Sequence, residues 1–181
     1  MLDQIDAIKV EGQAIVAGLS EAQFNWHPEP HRWSIAQCLD HLNFGVLKTL
    51  PAFDQSIATG RAQGKTSSGG GRFRYGWFSR MVISSMEPPP KFRMRTPLKK
   101  PAEGTFRSAD VVPEFARVRD QLGDRIRQAD GLDLIRVKIT SPVNRLLRLP
   151  LGAYFEFILA HDRRHLWQAR HVRDHARFPR P

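Results

Sequence analysis

The segment HDRRHLWQARH, residues 161–171, places His161 and His165 four apart; with His171 and the following His175 it holds four of the chain's seven histidines. At about 100° per residue, an α-helix brings His161 and His165 within about 40° of one another, the spacing at which two imidazoles can reach one metal ion. Tyr154 and Ile158 share that side, so the pair points into a helical core. Asp162, Arg163 and Arg164 lie between the two, so the glutamate that acts as base in an H-E-x-x-H zinc protease is absent. His171 and His175 lie off the centre of that face, in the last turns of the chain. A cation there complements the helix C-terminal dipole, so they are read as solvated residues without a ligand role.

Two imidazoles do not complete a site, and a third must come from another helix. His41, in WSIAQCLDHLNFG, lies two turns into its helix with Ser34, Gln37, Gly45 and Lys48 on its face. Gly45, without a side chain, leaves space beside the imidazole. A lone histidine at this position would be a satisfied core residue. Opposite an inward-facing pair it becomes a ligand candidate, because buried imidazoles without partners are costly. Cys38, one turn earlier and about 60° away, is read as a small core thiol; as a fourth ligand it would close the site. His27 and His31 flank the prolines of NWHPEPHRW and are read as loop residues. Three neutral imidazoles accept Zn, Ni, Fe or Mn according to supply. They leave a coordination position open, where a water ionises near pH ~7 and a thiol is deprotonated outright.

The elements that position these residues follow from apolar periodicity. Residues 2–19 carry Ile5, Ile8, Val10, Ile15, Val16 and Leu19 at helical intervals, and Ser20 with Gln23 has capping-box spacing. A second capping box, Ser34 with Gln37, starts a helix whose apolar positions run to about Thr59, with Pro51 expected to kink it or end its regular part. Residues 60–107 read as a long irregular crossover, within which RFRYGWFSRMVISSM could form a short helix. A third long helix opens at Asp110 with Pro113 in its first turn and stops near Gly131; LDLIRVKITSP is ambiguous between strand and loop. The fourth long helix runs from about Ala153 to His175. The fold class is therefore all-α: a single domain over residues 1–181, a four-helix bundle with one long crossover between its second and third long helices.

The sequence has 28 Lys and Arg against 18 acids, a formal net charge of +10, which attracts anions of every kind. The basic residues recur through 91–100, 117–127, 136–148 and 163–180 rather than forming one arm. No nucleic-acid motif accompanies them, so nucleic acid is not an expected partner. No apolar run reaches the ~20 residues of a membrane span. The N-terminal MLDQIDAIKVEG lacks a signal-peptide pattern, and the single cysteine allows no internal disulfide, so a cytoplasmic location is expected. GRAQGKTSSGGG is not a phosphate loop: three residues rather than four separate Gly60 from Gly64, and a helix precedes it where a strand should.

Trp33-Ser34, His41, and the His161/His165 pair together resemble the DinB-like superfamily of four-helix metalloproteins. That resemblance covers nearly the whole chain and implies His41, His161 and His165 as metal ligands. It also implies an activity within the range of the superfamily, which includes transferases and isomerases dependent on mycothiol, bacillithiol or glutathione. Gln37 stands where relatives often carry Glu. The expected function is a divalent-metal-dependent enzyme for thiol-linked group transfer or hydrolysis on a small acidic substrate, with a low-molecular-weight thiol as a further cofactor. Lys48, Arg93, Arg95, Lys99 and Lys100 are candidates for holding the substrate's carboxylates or phosphates. The competing reading is a metal- and ligand-binding protein without turnover. A homodimer is expected, on the family's habit and on the crossover aromatics Phe73, Tyr75, Trp77 and Phe78.

Overall fold

Apolar stripes on four long helices meet in one core. In the computed structural model, residues 1–67, 75–89 and 104–180 are described. The long helices are α1 (Leu2–Val16), α3 (Ile35–Ala62), α5 (Ser108–Gln128) and α6 (Leu151–Arg173), joined by the shorter α2 (Glu21–Phe24) and α4 (Trp77–Met86). An antiparallel pair of short strands, β1 (Lys138–Thr140) and β2 (Arg148–Pro150), precedes α6, with Ile139 opposite Leu149. The chain is thus an all-α bundle. Both α1 and α3 pack against α5 and α6, so α5 and α6 stand diagonally across the bundle, and α4 lies on the outside of α6. Ile5, Ile8 and Ile15 of α1 meet Leu39, Leu42 and Phe53 of α3, Phe115 and Leu122 of α5, and Phe155 and Leu159 of α6 in one buried cluster. Phe53 stacks on Phe155 with ring centroids 4.4 Å apart, joining the two helices that carry the histidines. Among the described residues no helix is long and apolar enough to cross a membrane.

Both capping boxes form. Ser34 Oγ accepts from the Gln37 N–H while the Gln37 side chain accepts from the Ser34 N–H, and Ser20 with Gln23 does the same. Each pair satisfies two donors that a helix N-terminus otherwise leaves open.

Several boundaries differ from the sequence expectation: α1 ends at Val16 rather than Leu19, and α6 runs over Leu151–Arg173 rather than from about Ala153 to His175. The helix α3 runs through Pro51 as one element and continues to Ala62, a little past the expected Thr59. Pro51 is exposed, and the buried Leu50, Phe53 and Ile57 around it hold the helix on the core. That packing outweighs the roughly 3 kcal/mol a helical proline costs. Gly60 consequently belongs to the helix. A Cβ there would come within 2.7 Å of Val137, so the glycine permits the close approach of the segment leading into β1. The helix α5 begins at Ser108, two residues early, because a distant side chain supplies its cap: the Glu21 carboxylate accepts from the Ser108 N–H at 3.0 and 3.1 Å. Pro113 is therefore in the second turn. The ambiguous LDLIRVKITSP contributes β1, where Ile139 is buried between the exposed Lys138 and Thr140, with Val137 buried just before the strand. The short helix anticipated within RFRYGWFSRMVISSM is α4.

Candidate metal centre

The capping box at Ser34 fixes where α3 starts, and so fixes His41 two turns in, facing α6. From α6 the i, i+4 spacing aims His161 and His165 at the same point. Each of the three imidazoles offers one ring nitrogen, and these atoms all lie within 4.8 Å of one another. His41 Nε2 and His161 Nε2 are 3.3 Å apart. Two nitrogens at metal-bond lengths of about 2.0–2.1 Å, separated by a tetrahedral angle, would be about 3.3–3.4 Å apart. His165 Nδ1 is 3.1 Å from Gln168 Oε1. A carbonyl oxygen only accepts, so Nδ1 carries the proton and Nε2 keeps its lone pair for a metal. The donor set therefore fits a divalent ion.

Trp33, the residue before the cap, closes one side. Its indole stacks on His165 at 5.3 Å and tilts onto His41 at 4.9 Å. Phe157, one turn before His161, stacks on that ring at 6.4 Å. This apolar collar excludes water and favours the neutral form of the rings. Burial pushes the His41 imidazole down to about 4. Burial, reinforced by His41, Arg119 and Arg164, pushes His161 down to about 3. His165 is held well below its ordinary value, by burial first and then by the two neighbouring rings. Neutral imidazole is the form that binds metal.

These shifts carry a stability consequence for the metal-free protein. The unfolded chain takes up protons near pH 6.5 and the folded rings only near 3 to 4, so stability is full above pH 6.5 and falls as the pH drops toward 4. His41 alone accounts for roughly 3 kcal/mol of that fall. Urea denaturation of chelator-treated protein at about pH 7.5 and about pH 4.5 should show it, with a smaller drop for His41→Gln. An equal drop in the variant would contradict a neutral, buried His41.

The other candidates are placed elsewhere. Cys38 is fully buried, its thiol is pushed up by burial, and it is not part of the ligand-distance group. His171 is exposed, with its Nδ1 2.9 Å from the Trp167 carbonyl oxygen. His175 packs beside Trp26, and His27 Nδ1 lies 2.7 Å from the Arg32 carbonyl oxygen. Gly45 is as open as its sequence position suggests, with nothing within 4 Å of an added Cβ. Lys48 is exposed over the Phe44 ring. Arg93, Arg95, Lys99, Lys100 and Phe73 lie outside the described residues.

Sequence reasoning missed what lies beside the three rings. Asp162, directly after His161, is wholly buried and receives a two-pronged contact from the equally buried Arg119 of α5, at 3.2 and 2.9 Å. Arg119 also donates to Asn43 Oδ1 at 2.7 Å, and Asn43 donates to the Val111 carbonyl at 3.1 Å. Arg164, between the two histidines of α6, donates to the Ser85 carbonyl and holds the end of α4 against the site. The sequence did carry a signal. Asp162 is four residues from both Ile158 and Leu166, and Arg119 is four from Phe115, so each charge occupies a core position and requires a partner.

No curated protein and no solved structure matches the chain. The family description that does match, the DinB superfamily, covers residues 11–169 and so takes in α3, α5, the hairpin and the whole histidine cluster on α6. With the bundle and its three converging imidazoles in view, the chain belongs to the DinB superfamily.

Proposed function

We propose that His41, His161 and His165 hold one divalent metal ion, and that the protein is a metal-dependent enzyme of thiol-linked group transfer or hydrolysis on a small acidic substrate. The observation that carries this reading is the convergence of three neutral imidazoles from two helices, with one ring already oriented by Gln168. When bound, the metal supplies Lewis acidity, which renders a water or a low-molecular-weight thiol nucleophilic near neutral pH. The rest belongs to the chain. Trp33 and Phe157 keep bulk water from the imidazoles, and Gln168 holds the His165 tautomer. Arg164, which lowers the proton affinity of both His161 and His165, sets a positive field in which an anionic substrate is favoured.

The test is a screen of metal-loaded protein with mycothiol, bacillithiol or glutathione and a set of carboxylated electrophiles and esters. The expected result is a rate that needs metal, rises with pH through neutrality and disappears on chelation. Salt-sensitive, pH-independent binding with no turnover for any of them would establish a ligand-binding protein instead.

In the same reading the chain works in the cytoplasm as a homodimer. Trp77 and Phe78 of α4 remain 71% and 44% exposed, which is the surface a second copy would cover. Light scattering at working concentration should give twice the chain mass; a monomer mass would contradict the dimer.

A further inference from the structure

The bundle's geometry sets a problem that the buried charges solve. Ligand-bearing α3 packs beside α5, ligand-bearing α6 stands diagonally across from it, and α5 contributes no member of the histidine cluster. At the depth of the histidines, Arg119 of α5 reaches across that diagonal to Asp162 on α6. The same guanidinium holds Asn43 on α3, and its Cζ lies over the Phe115 ring, 3.9 Å from the centroid. Asn43 is two residues from His41, and Asp162 is adjacent to His161. At about 100° per residue, Asp162 is turned about 100° from His161 and Asn43 about 160° from His41, so both leave the imidazole face, and both meet the Arg119 guanidinium of α5. One rigid, planar cation thus ties α3 to α6 beside the point where their imidazoles meet.

A core layer of this kind is not needed for stability alone. Replacing a buried ion pair with apolar side chains of similar volume is often neutral or stabilising. What the network supplies is position. Sliding α6 by one residue along its axis, about 1.5 Å, would break the two-pronged contact and spoil the 3.3 Å approach of His41 to His161. We infer that Arg119, Asp162 and Asn43 form a register clamp that presets the separation of His41 and His161 for the metal. They are positioning residues, and the inference rests on the metal reading above.

The experiment removes the clamp without leaving an unpaired charge: the triple variant Asn43→Leu, Arg119→Met, Asp162→Leu. Far-UV circular dichroism and thermal unfolding report the fold, chelator competition with Zn²⁺ reports affinity, and the visible spectrum of the Co²⁺-loaded protein reports ligand geometry. The expected result is a folded protein whose Zn²⁺ affinity falls by roughly 10- to 100-fold, with an altered Co²⁺ spectrum. Should that variant not fold, Asn43→Ala cuts the tie to α3 alone. It should weaken Zn²⁺ binding several-fold, with Asn43→Asp, which keeps the acceptor for Arg119, recovering most of it. Unchanged affinity and spectrum in a folded variant would overturn the clamp while leaving the metal site standing. A wild-type protein that takes up neither ion would overturn the metal reading and the clamp with it.

Discussion

Replacing His41 with alanine is expected to abolish tight metal binding, whereas His171→Ala and His175→Ala leave it intact. His41 is the only one of the three clustered imidazoles that α3 supplies. Its loss leaves two donors from one helix and opens the site. Loss of a mere supporting contact costs roughly 10- to 100-fold in affinity, and loss of a ligand should exceed that. His171 and His175 are neighbours in sequence to the pair but not in space, engaged instead with Trp167 and Trp26. Chelator competition on the three variants separates the alternatives. Equal weakening by all three would mean that the face assignment of α6 is wrong. Cys38→Ser belongs in the same series and should retain the metal, since the buried thiol lies outside the cluster.

The second large effect is on folding. Asp162→Ala strips Arg119 of its buried counter-ion and leaves a guanidinium in the core with Asn43 and the Phe115 carbonyl as its acceptors among the described residues. Breaking a buried pair from one side costs roughly 3–5 kcal/mol. That is a large part of a typical stability of about 5–15 kcal/mol. For a domain of this size it corresponds to a melting temperature lowered by roughly 6–20 °C. Arg119→Ala should cost a similar amount, leaving the carboxylate alone. Because the two share one interaction, the double variant should be less unstable than the sum of the singles. Additive losses in thermal unfolding would mean that the residues act independently.

The sequence and the structure agree where the signal is local. The i, i+4 histidine pair and the two capping boxes need only a few consecutive residues, and each forms as its spacing dictates. Bringing His41 to that pair took one further step, the pairing of two helices, which the apolar stripes and the superfamily resemblance both supported. The misses are of another kind. The start of α5 depends on Glu21, 87 residues away in the chain, and the course of α3 at Pro51, where the sequence left a kink or an end of the regular part open, depends on core packing on both sides of it. No local propensity contains either. Arg119 and Asp162 read as members of basic and mixed-charge stretches. Their burial was legible only by asking which helix face each occupied and what would neutralise it there. The aromatic collar was half visible: Trp33 belonged to the recognised Trp-Ser start, but its stacking on His165 joins segments 132 residues apart.

The central claim is that this bundle is built around one metal ion. Elemental analysis of the protein purified without chelator, and again after incubation with micromolar Zn²⁺ and desalting, tests it directly. One divalent ion per chain in either preparation is the predicted result, as expected for one three-imidazole site. A folded protein that carries no metal from purification and takes up none on incubation would contradict the claim.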